Sequence, residues 1–245
     1  NQTGRLDDVP PELHRVLKRS GQLHAMSQGA FDITVLPLLQ RYESALQRTG
    51  RPPSPEDLRR TRQNTGWDRV ALEPRSVRLE PGTRITLDGI AKGHVVDAAA
   101  RAIRDTGARC ALINAGGDVL AVGDKNGTPW IVGIRDPRQP NTFYRKIRLR
   151  DMAIATSGNY ENYFNGSPRH NHLVSSRTGI SPGRSLSASV LAPSAVLADG
   201  LSTTFFLAGP EKGLDLCGKL RNVEALILAS GNRPFASSGW PTRTG

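Results

Sequence analysis

The sequence is poor in cysteine and aromatic residues, and it has no long hydrophobic run. Two cysteines among 245 residues are too few for a disulfide scaffold, and no CxxC or Cys/His spacing indicates zinc. Cys110 and Cys217 lie among apolar neighbours, so each is expected to be a small buried core residue, and a single disulfide is left open. No apolar run approaches the ~18 residues of a membrane helix, so none is predicted.

The commonest signatures of nucleotide-binding and hydrolytic enzymes are missing as well. GxGxxG, Walker A, HExxH and GxSxG do not occur. The chain begins at Asn1 without methionine or a signal-peptide core, so any targeting segment is expected to have been removed or not included. Function therefore has to be sought in less familiar polar clusters.

Charge is strongly one-sided. Lys and Arg number 33 against 22 Asp and Glu, which gives a net charge of +11, and only six of the basic residues are lysine. Such an excess suits nucleic acid, acidic lipid or a phosphate-bearing substrate, although codon bias explains the charge alone more simply. No aromatic stacking motif accompanies it, so a nucleic-acid partner is not predicted.

Apolar periodicity and turn residues predict an α+β fold with mixed, largely antiparallel sheets and packed helices. In the first half, helices are expected behind Pro10 as far as Met26, from Pro37 to about Leu46, and from a Ser54 cap onward. Strands are expected there at residues 30–35, 70–72, 76–79 and 84–87. A single domain over 1–245 is predicted, with a candidate lobe boundary near 50–55.

The second half is predicted to be rich in strands. Its helices are expected at residues 90–106, 194–207 and 210–220, and its strands at 110–114, 119–123, 130–135, 143–150, 152–156, 186–191 and 225–228. The spacing of apolar residues in the helix at 90–106 predicts a buried face made of Ile90, Val95, Ala98, Ala102 and Ile103.

One polar cluster indicates hard-oxygen chemistry. Asp199 and Thr203 are spaced i, i+4, so they share one face of a helix, with Asp199 expected at its exposed start. Carboxylate and hydroxyl oxygens suit Mg²⁺ better than zinc. The simpler interpretation is an acid that complements the helix dipole and a threonine bonded back to its own helix.

Further clusters occur near the ends of predicted strands and helices. The Gly pair in 114–118 allows close backbone approach to a ligand, and equally a plain turn. Residues 155–160 offer hydroxyl and backbone donors to an anion, and Lys92 lies in a Gly-flanked helix start that is able to bind phosphate. His172 is a candidate base, although surface histidines are commoner than catalytic ones.

Together and in this order, these clusters resemble the ApbE family of flavin transferases. The matching runs are residues 29–34 (GAFDIT), 87–93 (LDGIAKG), 114–118 (NAGGD), 156–160 (TSGNY), 172–179, 198–203 (ADGLST) and 209–213 (GPEKG). Each run is weak by itself, but seven in register cover nearly the whole chain. The resemblance implies a fold like that of ApbE, with the family's first strand preceding Asn1.

The resemblance implies an activity and its residues. The family uses Mg²⁺ and FAD, and esterifies the FMN phosphate to a threonine of an acceptor protein with release of AMP. The matching positions imply His172 as the base that helps to deprotonate the acceptor. They imply a metal site formed by Asp199, Thr203, Ser202 and the backbone of Gly89, and an FAD site lined by Ala30, Phe31, Asp32, Thr86, Lys92 and Val174. They also imply a membrane-bound electron-transfer subunit as acceptor, and a location in the periplasm or cell envelope.

Two departures from the family pattern leave other functions open. Many relatives carry Asp where this chain has Thr86, and Asp-Pro where it has Ser175 and Ser176. A non-catalytic flavin-binding maturation partner is therefore one alternative. An FAD pyrophosphatase that yields FMN and AMP is another, since some relatives hydrolyse FAD.

Overall fold

The computed structural model describes residues 1–160, 171–183, 185–231 and 233–241, which contain six α-helices and eleven β-strands. The helices are α1 (Pro11–Met26), α2 (Leu36–Thr49), α3 (Pro55–Arg62), α4 (Ala91–Asp105), α5 (Ala195–Ala208) and α6 (Pro210–Cys217). The strands are β1 (Arg5–Asp7), β2 (Val70–Leu72), β3 (Ser76–Leu79), β4 (Ala111–Ala115), β5 (Asp118–Val122), β6 (Trp130–Asp136), β7 (Gln139–Leu149), β8 (Ala153–Gly158), β9 (Ser185–Ala192), β10 (Glu224–Ala229) and β11 (Arg233–Ala236). Within the described ranges, every helix is too short or too polar to cross a membrane.

These elements belong to two compact units, and the α+β fold class is confirmed. One unit comprises Asn1–Gly89 and Asn159–Gly183, and the other Ile90–Gly158 and Arg184–Gly245. Residues 50–55 lie inside the first unit. All strand pairs among the described residues are antiparallel.

The first unit contains α1, α2, α3 and a three-stranded sheet in the order β1-β3-β2. The predicted helix start at Ser54 is confirmed as a capping box: the Ser54 hydroxyl accepts a hydrogen bond from the Asp57 backbone N–H, and the Asp57 carboxylate accepts one from Ser54 N–H. A small core joins the helices to the later segment of the unit, through Leu38, Leu58 and Val174.

Two predicted strands of this unit do not form. In residues 30–35, the Asp32 carboxylate accepts hydrogen bonds from both the backbone N–H (2.9 Å) and the hydroxyl (2.6 Å) of Thr34, which caps a 3-10 turn at Ile33–Val35. In residues 84–87, the Asn1 side-chain amide bonds both backbone groups of Ile85, and Thr86 N–H donates to the Ile33 carbonyl. Since a side chain and a turn take up these backbone groups, no strand ladder develops.

The second unit is built on a six-stranded sheet in the order β11-β10-β9-β8-β5-β4. One face is covered by the β6–β7 hairpin, whose Ile134, Ile147 and Leu149 enter a core with Ile154 and Leu226. Helix α5 packs against β8 and β9. Because α5 is apolar almost all round, it is nearly completely buried, with Leu201, Phe205 and Phe206 at 0% exposure.

Two burial predictions for this unit are wrong. Helix α4 buries Gly93, Val96 and Ala100, and of the predicted face only Ile90, just before the helix, is fully buried, whereas Val95 is 59% exposed. Cys110 precedes β4 and is exposed, whereas Cys217 is buried as predicted, and both are free thiols. The α4 face was misjudged because Gly93 is the point of closest contact, and glycine carries no hydrophobic signal.

Gly93 lets α4 and α5 approach each other closely. A Cβ atom on Gly93 would lie 2.3 Å from the carbonyl oxygen of Ala195 and 2.7 Å from the Cα atom of Val196. Both contacts involve backbone atoms of α5, so the two helices would have to separate to accept a side chain.

Gly93→Ala is therefore expected to lower the free energy of unfolding by about 1–3 kcal/mol, the usual cost of overpacking a core. Urea denaturation measures this effect. The matched control is Gly218→Ala in the same unit, where the added methyl would meet only carbonyl oxygens at 3.6 and 3.7 Å. Equal stabilities of the two variants would contradict the close-packing role of Gly93.

Candidate functional site

Two acidic side chains are buried in the second unit, where α5 faces the sheet. Asp199 lies in the second turn of α5 and is 3% exposed, and Asp118, the first residue of β5, is 1% exposed. The expectation that Asp199 occupies an exposed helix start is wrong, because α5 lies against the sheet over its whole length. Asp199 Oδ2 accepts a hydrogen bond of 2.9 Å from the backbone N–H of Gly93.

The pKa of Asp199 is raised to about 7, first by burial and then by the negative charge of Asp118. The Gly93 N–H and the charge of Lys92 act in the opposite direction. Lys92 Nζ lies 3.4 Å from Asp118 Oδ2, and its side chain is 45% exposed. The buried acids therefore lie beside a lysine that reaches solvent, and their negative charge is incompletely compensated.

Three hydroxyl groups continue the polar cluster along α5. Ser157 on β8 is hydrogen-bonded to Ser202 (Oγ to Oγ, 2.8 Å) and to Thr203 (Oγ to Oγ1, 3.0 Å). Ser202 also donates to the backbone carbonyl of Asp199 (2.8 Å). Asp199, Ser202 and Thr203 share a helix face because they are spaced i, i+3 and i+4.

The start of α5 is already occupied by another acid. Asp97 on α4 accepts hydrogen bonds from the backbone N–H groups of Ala195 (2.8 Å) and Val196 (3.0 Å). Negative charge at a helix start is stabilising, so Asp97 has the capping role that the simpler interpretation of the sequence assigned to Asp199. Asp199 therefore does not cap its own helix, and its carboxylate instead accepts the Gly93 N–H in the first turn of α4.

The donor set of this cluster fits a magnesium ion. Two carboxylates and three hydroxyls are hard oxygen ligands, and a divalent cation would relieve the repulsion that raises the pKa of Asp199. In the described ranges, no group of three or more His, Cys, Asp and Glu residues is arranged to bind a metal. A cation here would therefore need hydroxyl or backbone oxygens beside the acids, which suits Mg²⁺ better than zinc.

The first unit brings together four of its residues that the sequence predicts to bind FAD. Phe31 and Asp32 are 3% and 7% exposed, Ala30 is half-buried, and the backbone bond from Thr86 N–H to the Ile33 carbonyl (2.8 Å) holds Thr86 against their turn. The Thr86 hydroxyl accepts a hydrogen bond of 3.3 Å from Asp88 N–H. Gly89 follows in the turn directly before α4.

A cavity of about 420 Å³ opens beside Thr86. Apolar residues of α1, β1, β3 and the segment at 85–87 line most of it, among them Leu6, Leu13, Leu79 and Ile85. Asn1 also lines the cavity, and its side chain holds Ile85 through two hydrogen bonds.

His172 lies in a segment that is fixed on both sides. Its neighbours Asn171 and Leu173 are 1% and 5% exposed, and His172 itself is half-buried. Asn171 Oδ1 accepts hydrogen bonds from Leu173 N–H (2.9 Å) and from the Ser181 hydroxyl (3.1 Å). Val174 is 2% exposed within the small core of the unit.

Arg177 connects this segment to the predicted FAD residues. Its guanidinium donates to the backbone carbonyl of Gln28, immediately before the turn that carries Ala30, Phe31 and Asp32. The structure therefore links the segment of His172 and Val174 to that turn inside the first unit. Lys92, Asp199, Ser202 and Thr203 form the separate cluster described above in the second unit.

Asp118 and Ser157 were not assigned to the site by sequence reasoning. Both lie in conspicuous runs, and Asp118 directly follows the Gly116-Gly117 pair. These glycines have φ angles of +59° and +100°, so they form the two-residue turn between β4 and β5. The turn places Asp118 at the first position of β5. The sequence signal for Asp118 was therefore its position directly after the two glycines.

Comparison with known proteins identifies similar chains. The profile of the ApbE family matches residues 1–227. An FAD:protein FMN transferase of Haemophilus influenzae is 30% identical over 237 residues, which cover 92% of this chain and 68% of the relative. One of Vibrio cholerae is 30% identical over 234 residues, which cover 92% of this chain and 70% of the relative.

Solved structures are similar as well. The crystal structure of the ApbE protein of Thermotoga maritima superposes with a TM-score of 0.84 at 32% identity, and covers 95% of this chain and 77% of that one. The flavin transferase ApbE of Vibrio cholerae gives a TM-score of 0.81 at 29% identity, with 94% and 76% covered.

Proposed function

Because the chain belongs to the ApbE family, we propose that it transfers FMN from FAD to a protein acceptor. The observation that carries the proposal is the buried pair of acids, Asp118 and Asp199, next to three hydroxyls and an exposed lysine. Acids that are buried at a cost to their ionisation are typical of functional sites. A metal ion would bind the acids and hydroxyls of this cluster, and a phosphate-bearing substrate would bind its lysine.

We propose that Asp199, Thr203, Ser202 and the backbone of Gly89 hold a Mg²⁺ ion, and that Asp118 assists them. When bound, the ion would neutralise negative charge on the pyrophosphate and on the AMP leaving group. The Gly93 N–H orients the Asp199 carboxylate, and Ser157 orients the two hydroxyls of α5. Lys92 is the exposed cation that would attract the phosphates.

The FAD contacts are proposed to come from Ala30, Phe31, Asp32, Thr86, Lys92 and Val174. In the first unit, the hydrogen bonds that Thr34 donates to Asp32 and that Thr86 donates to Ile33 fix the conformation of this turn. Preorganised contacts of this kind position a substrate without further loss of conformational freedom on binding. The Thr86 hydroxyl replaces a carboxylate of many relatives, so its contact would be a neutral hydrogen bond.

His172 is proposed as the general base. In the transfer, the bond between the FMN phosphorus and the AMP oxygen breaks, and a phosphoester bond to the acceptor oxygen forms. The hydroxyl proton passes to His172, and AMP leaves. A neutral imidazole is suited to accept a proton from a hydroxyl near pH 7.

We propose a threonine as the modified residue, a membrane-bound electron-transfer subunit as the acceptor, and the periplasm or cell envelope as the location. These three proposals rest on the family resemblance of the seven motif runs. The acceptor supplies the hydroxyl, so this chain needs only to bind it and to remove its proton.

Incubation with FAD, Mg²⁺ and an acceptor peptide containing threonine should yield a fluorescent covalent peptide adduct and equimolar AMP. Mass spectrometry of the peptide and chromatography of the nucleotides measure both products. A peptide with serine in place of threonine, and a reaction with chelator, are the controls. Free FMN with AMP and no adduct would identify an FAD pyrophosphatase, and bound FAD without AMP a non-catalytic flavin-binding protein.

A further inference from the structure

The outer face of the β6–β7 hairpin exposes large apolar side chains to solvent. Ile131 is 64% exposed and Phe143 is 63% exposed, although the opposite face of the same hairpin is buried in the core of its unit. Strand alternation places Ile131, Gly133 and Arg135 on the outer side of β6, and their cross-strand partners are Arg148, Lys146 and Phe143 of β7. We call these six positions the hairpin face.

The hairpin face is flat at its centre. A Cβ atom on Gly133 would lie 2.4 Å from Cδ1 of Phe143 and 2.6 Å from Cε1, so the phenyl ring lies directly against the glycine backbone. The ring therefore covers Gly133 and does not project outward. Ile131 occupies the next outward position of the same strand, so apolar surface continues along β6.

The charge of the hairpin face has one sign. Arg135, Lys146 and Arg148 are exposed, and none of the six positions is acidic. Within the part of the chain that the structure describes, Arg135 and Lys146 form no ion pair. The chain as a whole carries a net charge of +11, which repels a second copy and attracts an extended anionic surface.

We propose that the hairpin face docks the protein on an anionic lipid surface. A flat apolar centre between cations on two strands matches an interfacial mode of binding, in which apolar atoms enter the headgroup layer and the cations contact anionic headgroups. A protein partner would need a matching shape, whereas a lipid surface adapts to a flat face.

Docking by this face is compatible with the proposed chemistry. The residues beneath the hairpin, such as Val119 and Ile154, alternate along their strands with Asp118 and Ser157, which belong to the polar cluster. Alternate residues of a strand point to opposite faces of a sheet. The hairpin and the polar cluster therefore lie on opposite faces of the six-stranded sheet.

Sedimentation of the full chain with vesicles tests the proposal. Binding to phosphatidylcholine vesicles should be weak, and should rise when phosphatidylglycerol is included. Each cation near an anionic surface contributes about 1 kcal/mol, or about fivefold, so Arg135→Gln combined with Lys146→Gln should weaken binding about 25-fold. Ile131→Thr should weaken it about tenfold without affecting charge.

The matched control removes an exposed apolar residue and a cation from α4, as Val95→Ser with Arg104→Gln. After correction for the one positive charge that it lacks, this control should bind vesicles within about twofold of the unmodified chain. All variants should retain their thermal unfolding transition and their transfer of FMN to a soluble peptide, since the hairpin face contains no residue of the polar cluster.

Three results would overturn the proposal. The first is equal binding to neutral and anionic vesicles. The second is an equal loss of vesicle affinity in the hairpin variants and in the α4 control. The third is an unchanged vesicle affinity after Ile131→Thr. In the last case, binding of poly-L-glutamate as tightly as vesicles would identify the face as a site for acidic protein surfaces. Failure of FMN transfer in the unmodified chain would bear on the proposed function and not on this surface.

Discussion

Asp199→Asn should abolish Mg²⁺-dependent FMN transfer and, without the metal, stabilise the fold. The carboxylate is buried beside Asp118, and its pKa is raised to about 7 from an ordinary value of 3.8. A raised carboxyl pKa means that the folded state binds its proton more tightly than the unfolded state does. The resulting destabilisation is absent near pH 4, grows as the pH rises to 7, and is complete above that.

At pH 8 with a chelator, this ionisation should cost the unmodified protein roughly 4 kcal/mol of its free energy of unfolding, from about three pH units at 1.36 kcal/mol each. Asparagine removes the cost and still offers an oxygen to the Gly93 N–H. Urea denaturation at pH 4 and pH 8 measures the difference. Excess Mg²⁺ should stabilise the unmodified protein and leave the variant unchanged, because a ligand that binds only the folded state stabilises it.

The neighbouring acid Asp97 provides the control, because it caps α5 through two backbone N–H groups. Asp97→Asn should lower stability by about 1 kcal/mol, as loss of a charged helix cap does, and should keep the response to Mg²⁺. A metal-free Asp199→Asn variant that is less stable than the unmodified protein at pH 8 would show that the carboxylate is structural. Retained transfer activity at limiting Mg²⁺ would contradict the proposed metal site.

His172→Ala should reduce the rate of FMN transfer about 10²–10⁴-fold while leaving FAD affinity nearly unchanged, because a general base acts in the transition state. The two measurements are the FAD dissociation constant and the single-turnover rate of peptide modification, each from pH 5 to pH 9. A small external base such as imidazole should restore part of the lost rate, since the vacated site can admit it.

Asn171→Ala is the contrasting variant. Asn171 is 1% exposed and holds its segment through Leu173 and Ser181. Its loss should therefore lower stability, FAD affinity and rate together, and imidazole should not restore activity. If His172→Ala behaves in the same way, His172 is a binding or structural residue. A normal rate at every pH would exclude it as the base, and Asp118 and Asp32 would be the next candidates.

Local sequence signals predicted most helices and strands of this chain correctly. The Ser54 cap, the apolar periodicity of α1 and α2, and the short apolar runs of β5, β9 and β10 depend on residues a few positions apart. β1 and β11 were missed because short exposed strands carry no hydrophobic pattern. Seven short motifs in a fixed order likewise indicated the family, since order along a chain needs no three-dimensional information.

Two predicted strands, 30–35 and 84–87, failed because polar side chains took over their backbone groups. Asp32 bonds Thr34, and Asn1 bonds Ile85 from 84 positions away. β propensity describes an average pleated environment and contains no term for such a competing hydrogen bond. The same competition produced the turn that places Thr86 beside the predicted FAD residues.

The sequence by itself determined most of the helices and strands, the fold class, the family and the residue types suited to Mg²⁺ and phosphate. Only the tertiary structure decided that Asp199 is buried, that Asp97 caps the helix in its place, and that Asp118 lies beside it. Gly93 and Asp199 are 106 positions apart, and their hydrogen bond exists because a missing side chain lets two helices approach. Burial and charge proximity are properties of such long-range packing, and they are the two largest causes that raise the pKa of Asp199.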